Sequence, residues 1–267
     1  MLKTFKYRLY PNKKQQEFLS KNFGCVRFVY NLSLEKCIKG YEKNQTKFNK
    51  IKLINDISSL KKQEEYSWLK EVESSSLQQA IEDLGMSYQR FFRKLSSFPN
   101  FKKKNNKQSL RIINNNNNIR FLENTSKIKL PKIGNIKIKK HREIEGKITS
   151  VTISKNPSNQ YHIMIRTRVD YEYQKPNTPT YKETLGIDLG VKDLAILSNG
   201  ESIKNIKPLK QHLKNLKYQQ RKLSKKQKGS KNREKQKLKV AKIHQKITNI
   251  REDYLHKVTH SITKMDY

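Results

Sequence analysis

Apolar residues return every three or four positions along residues 77–97: Leu77, Ile81, Leu84, Tyr88, Phe91 and Leu95 step by 4, 3, 4, 3 and 4. That period gathers them on one face of a helix, and Pro99 stands where it would end it. Upstream, Val26, Val29, Tyr30, Ser33 and Cys37 share a face in the same way, and Ile51, Ile54, Ile57 and Leu60 repeat at spacing three. Residues 2–10, LKTFKYRLY, instead mix apolar and basic positions as a half-buried strand does. Pro11 stops that strand, and Asn12 with Gln15 has the spacing of a capping box. A first strand is therefore expected at 1–11 and a helical insert at 12–98.

From residue 109 the period changes. SLRII, IRFL, SKIKLP, NIKIKK, ITSVTIS and YHIMIRTRV are short alternating runs separated by Asn, Gly and Pro. Regular short strands with turn signals predict a small barrel or sandwich over 99–169, which the strand at 2–10 could join. Residues 170–183, rich in Tyr, Pro and Thr, read as a linker. A third unit, 184–267, opens with ETLGIDLG and DLAILSNG, two strands followed by an Asn-Gly turn into ESIKNI, so three antiparallel strands are expected. A long helical hairpin fills 208–265, with one seam at Leu209, Leu213, Leu216, Gln220 and Leu223. The other lies at Val240, Ile243, Ile247, Ile250, Tyr254 and Val258. The fold class is α+β and multidomain.

Charge then narrows the function. The chain of 267 residues carries 59 Lys+Arg against 23 Asp+Glu, a net charge of +36. Such an excess repels itself unless a polyanion relieves it, and nucleic acid does so through phosphate contacts that release counterions. No apolar run is long enough for a membrane span, and no secretory signal pattern opens the chain, so a membrane partner is not expected. Between Leu209 and Val240 there are 13 Lys+Arg and one acid, Glu234, a bias that suits a phosphate-facing surface better than an ordinary solvated helix. Cys25 and Cys37 make neither a disulfide framework nor a zinc site by count, which points to a reducing, cytoplasmic setting.

Against that charge, LGIDLGVKDLAILSNG at 185–200 places one acid, Asp188, in an apolar run just before Gly190. A buried acid is costly unless paired. Three readings compete. Asp188 is a turn or packing acid; or GIDLG is a phosphate loop of the actin and sugar-kinase type, although no second Gly- and Thr-rich loop follows; or Asp188 is the first metal ligand of an RNase H-like nuclease. Such nucleases hold two hard cations with carboxylates from different strands.

Several strings together carry a resemblance. YRLYPNKKQ at 7–15, RFVYN at 27–31, SLQQAIEDLGMSYQRFF at 76–92, FPNFKKK at 98–104, KLPKIG at 129–134, GIDLGVKDLAILSNG at 186–200 and REDYLHKVT at 251–259 are collinear along the whole chain. In this order they resemble TnpB, the transposon-encoded OrfB-type proteins related to type V CRISPR effectors. The resemblance implies an RNA-guided DNA endonuclease with a wedge barrel, a helical recognition insert and a RuvC-type nuclease domain. It implies a guide RNA and a double-stranded DNA target as partners and Mg²⁺ as cofactor, with Asp188 as the first catalytic, metal-binding aspartate. Arg8, Arg27, Lys102, Lys103, Lys104, Lys214, Lys217, Arg221 and Lys225 are the candidate nucleic-acid contacts.

The family pattern also calls for a second carboxylate on a strand after the basic hairpin, a third further on, and a zinc-binding Cys quartet. After Asp188 the acids are Asp193, Glu201, Glu234, Glu252, Asp253 and Asp266, none inside an apolar strand run, and there is no CxxC. The sequence therefore reads as a protein that stops within its nuclease fold, with no zinc and no appreciable cutting activity of its own. Two alternatives stand beside enzymatic descent: a non-cutting guide-RNA and DNA-binding module acting as a repressor, and a generic basic RNA-binding protein.

Overall fold

The computed structural model describes residues 1–45, 47–105, 107–122, 125–170 and 184–264. The chain forms two compact units, Met1–Asn156 with Gln160–Glu172, and Pro157–Asn159 with Tyr173–Tyr267. The segment expected as a linker, 170–183, lies outside the described residues from 171 onward.

In the first unit, strand β1 (Leu2–Tyr10) runs into helix α1 (Lys13–Asn44). The capping box forms: the Asn12 side chain accepts from the Gln15 N–H at 2.9 Å, and the Gln15 side chain accepts from the Asn12 N–H at 3.0 Å. Helix α2 (Lys50–Leu60), a 3-10 turn at Glu64–Lys70 and helix α3 (Ser74–Phe92) follow. Leu53 and Ile57 are the buried residues of α2, whereas Ile51 is 70% exposed, so the expected face is displaced. A buried hydrogen bond from Ser76 Oγ to Asn22 Oδ1, 2.9 Å, pins α3 to α1.

Helix α3 ends well before Pro99. The Leu95 N–H bonds to the Arg90 carbonyl and the Lys94 N–H to the Phe91 carbonyl, with Lys94 at φ 56°. That is a Schellman motif with lysine at the left-handed position where glycine is usual. It leaves Leu95, expected on the buried face, 62% exposed.

The strands β2 (Gln108–Ile113), β3 (Arg120–Phe121), β4 (Lys127–Leu130), β5 (Gly134–Lys139), β6 (Lys147–Lys155) and β7 (Tyr161–Arg168) join β1 in one antiparallel sheet, ordered β2-β6-β7-β1-β5-β4-β3. β1 lies between β7 and β5, so the chain leaves the sheet through the helices and returns to flank its own first strand. Alternate residues build the inner face: Tyr7, Leu9, Leu110, Ile112, Ile128, Leu130, Ile136, Val151, Ile153, Ile163 and Ile165 are each 2% exposed or less. Burial that complete on β2 at one end of the order and on β4 near the other marks a curled sheet. No ladder joins β2 to β3 among the described residues, so the expected barrel stays open there.

The second unit holds β8 (Ile187–Leu189), β9 (Asp193–Leu197) and β10 (Ser202–Lys204), antiparallel in the order β10-β9-β8. Gly200, at φ 90°, makes the turn that Asn199-Gly200 signals. Helices α4 (Pro208–Ser224) and α5 (Lys231–Ile262) form the hairpin. Leu216, Val240 and Ile247 are its buried centre, with Leu223 and Ile243 beside them. Gln220 is exposed. Its neighbour Gln219 takes the seam position instead, accepting two bonds from the buried Gln236 amide, 3.0 Å at its carbonyl and 2.8 Å at Oε1. Arg233 donates to the carbonyls of Leu223 and Lys226, 2.8 and 2.7 Å, and so caps the open end of α4. The Tyr254 hydroxyl donates to the Lys204 carbonyl and ties α5 to β10.

Candidate nucleic-acid interface

The strands that bury one face present cations on the other. In an antiparallel ladder, directly paired residues point to the same side. Arg8 pairs with Lys139 on one flank and His162 on the other; Tyr10 pairs with Lys137, which in turn pairs with Lys127. Lys6 pairs with Met164, and Thr4 with Arg166. The outer face of β4, β5, β1 and β7 thus carries row upon row of basic side chains. Lys6, Lys127, Lys137, Lys139 and Arg166 have no acidic partner among the described residues. A groove lined by Tyr10, Ser126, Lys137, Lys139 and Lys140 opens on this face.

Arg8 is the least solvated of these cations. Its Nε is buried without a hydrogen-bond partner among the described residues, and its guanidinium carbon lies 5.8 Å from the Tyr10 ring centroid. Burial lowers its pKa from the ordinary arginine value, with Tyr10 acting in the opposite sense. A donor left unpaired this way costs free energy, which an anionic acceptor would recover. Tyr7 is core, 1% exposed, as is Tyr30 at 4%; Tyr10, at 49%, is open.

Around the start of β2 the expected contacts divide. Arg27 donates to Gln108 Oε1 at 3.0 Å. The Asn31 side chain clasps the backbone of Lys102, accepting from its N–H at 2.8 Å and donating to its carbonyl at 3.0 Å. The Lys102 ammonium lies over the Tyr30 ring, and burial lowers its pKa, with Asp83 pulling the other way. Lys102 is a structural cation here, whereas Lys103 and Lys104 are exposed. Arg27, Lys102, Lys103 and Lys107 line one shallow groove. Arg111, not anticipated from the sequence, is held by Asp83 at 3.5 Å and Gln79 at 3.4 Å.

Lys214, Lys217 and Arg221 on α4, and Lys225 at its C-cap, are all exposed. Their spacing of 3, 4 and 4 places them in one stripe along the helix, away from the Leu216 seam.

Asp188 lies on β8 opposite Ile196. Ala195 and Leu197 are buried, while Asp188 and the 48% exposed Ile196 share the opposite, open face. The acid that looks buried in the sequence is exposed, because β8 is an edge strand among the described residues rather than a central one. No cation pairs with Asp188 among those residues. Gly190 gives the neighbouring strand room: a Cβ there would meet the Asp193 carbonyl oxygen at 3.0 Å. Asp193 belongs to the other face by alternation, and Asp253 is paired with Lys257 at 2.8 Å. No group of three or more His, Cys, Asp or Glu side chains that could hold a metal ion occurs among the described residues. Among the described residues no helix is long and apolar enough to cross a membrane.

Sequence reasoning missed Lys6, Lys137, Lys139 and Arg166 on the sheet and Arg233 on the hairpin. The alternation in NIKIKK and YHIMIRTRV carried the signal for the sheet cations, since a strand with one buried face must aim its lysines at the other.

Comparison with known proteins places these surfaces in context. The OrfB_IS605 family, described as "Probable transposase", matches residues 165–266. A family described as "Helix-turn-helix domain" matches residues 1–46, where the structure has β1 and the single helix α1. The chain is 34% identical over 263 residues to the "Putative RNA-guided DNA endonuclease InsQ" of Escherichia coli K12, covering 98% of this chain and 64% of that protein. It is 33% identical over 260 residues to the "Putative RNA-guided DNA endonuclease" of Streptomyces pristinaespiralis, covering 96% of this chain and 63% of the relative. The chain thus spans somewhat under two thirds of the length of these relatives. A Cas12f1 chain, solved by cryo-EM with its sgRNA and target DNA, aligns at a TM-score of 0.30 and 15% identity, over 98% of this chain and 69% of that one.

Proposed function

This chain belongs to the TnpB-type, OrfB family of transposon-encoded proteins, and we propose that its basic faces hold a guide RNA and a DNA duplex without the polypeptide cutting DNA by itself. The observation that carries this reading is the outer face of the curled sheet, where Arg8 is flanked by Lys139 and His162 and where further lysines stand without acidic partners among the described residues. The exposed stripe Lys214, Lys217, Arg221 and Lys225 supplies a second phosphate-facing surface. Relatives named as RNA-guided DNA endonucleases support RNA and DNA as the two ligands. In this reading 1–11 with 99–169 act as the wedge, 12–98 as the recognition insert, 170–183 as the linker, and 184–267 as part of a RuvC-type domain whose hairpin spans 208–265.

Magnesium-dependent phosphodiester cleavage uses carboxylates around a pair of ions. Asp188 is one exposed carboxylate, and it belongs to no group of three or more His, Cys, Asp or Glu side chains among the described residues. They do not fit a two-ion centre, and no cleavage step is assigned to them. Asp188 is a place where one ion could be held once other carboxylates are brought beside it.

The test is fluorescence anisotropy of labelled structured RNA and duplex DNA across a salt series. Affinity should fall steeply with salt, with a log–log slope of several units. Salt-independent or undetectable binding overturns the holding role, and Mg²⁺-dependent strand breaks overturn the non-cutting one.

A further inference from the structure

We propose that the aromatic ledge at the C-terminal end of α3 stacks an unpaired base of a single-stranded nucleic-acid segment. The inference rests on the nucleic-acid reading above and names a subsite within it. Phe92, the last residue of α3, is 72% exposed, and Phe98 is 42% exposed. The Phe92 ring is braced from within the protein: Tyr88 stacks on it at 6.2 Å with an interplanar angle of 20°, and Phe91 lies 5.4 Å away. Phe98 in turn packs edge-on against Tyr88 and Phe91, at 5.7 and 5.3 Å. The Schellman motif fixes the backbone directly behind Phe92. The result is a rigid π surface, open to solvent, at a defined position.

Charge selects the occupant. From Leu84 to Leu122 the sequence has no Asp or Glu, and nine Lys and Arg, among them Arg90, Arg93 and Lys94 beside the ledge. These three are exposed and have no acidic partner among the described residues. A second copy of the chain would bring like charges together, which opposes association. An apolar peptide would leave the cations unanswered. A single strand supplies both a π face for Phe92 and phosphates for the arginines, which is how sequence-tolerant single-strand sites are built.

The experiment uses the full chain and a short oligothymidylate carrying one 2-aminopurine, in DNA and RNA forms. Binding should quench the 2-aminopurine. Phe92→Trp should keep the quench. Phe92→Ala should abolish it and weaken binding about tenfold with an unchanged salt slope. Arg93→Gln should keep the quench and lower the slope by about one unit. Binding without quench, or a Phe92→Ala protein that binds as the parent does, overturns the ledge and leaves the nucleic-acid reading standing. No binding of either oligonucleotide overturns both. Self-association in sedimentation that Phe92→Ala removes makes a second copy the occupant and overturns the proposal.

Discussion

The Lys102 ammonium lies 3.8 Å from the centroid of the Tyr30 ring, while Asn31, the next residue on the same helix, grips the Lys102 backbone. Adjacent residues of α1 thus hold both the side chain and the main chain of one lysine from a basic run. Its two neighbours stay in water.

Lys102→Ala should therefore act on stability. Losing a partly desolvated cation–π contact should cost about 1–2 kcal/mol in urea unfolding. Lys103→Ala and Lys104→Ala should each leave stability within about 0.5 kcal/mol. Each should instead lower the salt slope of nucleic-acid binding by about one unit. Equal stability losses at all three positions would refute this division.

Lys94 occupies the left-handed position that closes α3. A side chain there costs about 1–2 kcal/mol relative to its unstrained conformation, and glycine removes most of that. Lys94→Gly should raise the unfolding midpoint, with a gain of up to about 1 kcal/mol. A destabilised variant would mean that the lysine side chain stabilises the motif by some other contact.

Asp188 is exposed on β8 and unpaired among the described residues. Asp188→Ala should leave thermal unfolding unchanged within about 0.5 kcal/mol. RNA and DNA affinity should hold or rise slightly, since a negative charge is removed from a strongly basic chain. A large loss of stability would assign the acid a packing role instead.

Arg233 supplies the donors for two carbonyls at the end of α4. Arg233→Ala leaves both without that donor and should cost about 1–2 kcal/mol. The loss should appear as faster amide exchange around Leu223 and Lys226, with the first unit unaffected. Unchanged exchange there would show that solvent replaces the cap.

Burial pushes the Cys25 thiol up to about 11 from 9.0, and raises that of Cys37 as well. The unfolded chain therefore releases the Cys25 proton before the folded one. This part of the stability is present in full below pH 9 and is lost as pH rises through about 11. Cys25→Ser should flatten the decline of the unfolding free energy over that range. At neutral pH the native protein should react slowly with a thiol-disulfide reagent, and both thiols should react at once in denaturant.

Local rules carried much of the architecture. The capping box at Asn12 and Gln15, the Asn199-Gly200 turn and the six alternating runs from 109 to 169 are set by neighbouring residues, so the sequence shows them directly. The end of α3 was harder. Pro99 is a visible breaker, but the helix closes earlier because Lys94 accepts a left-handed backbone that its own residue type does not announce. The hairpin seam illustrates a different limit. Apolar spacing finds Leu216, Val240 and Ile247, but it gives no reason to choose Gln219 over Gln220. That choice depends on Gln236 across the interface.

The sequence by itself determined where strands and helices form, because periodicity and capping act over a few residues. Its net charge, which does not depend on fold, pointed to a polyanionic partner, and its collinear motifs carried the family resemblance. Only the tertiary structure decided which cations are free. Lys102 is held by Tyr30 and Arg111 by Asp83, while Lys137 and Lys139 stand open beside Arg8, because pairing across strands and helices joins residues far apart in the sequence, 72 positions for Tyr30 and Lys102 and 131 for Arg8 and Lys139. It also set Asp188 in the open, since the exposure of a strand residue depends on what lies next to the strand and not on the apolar letters around it.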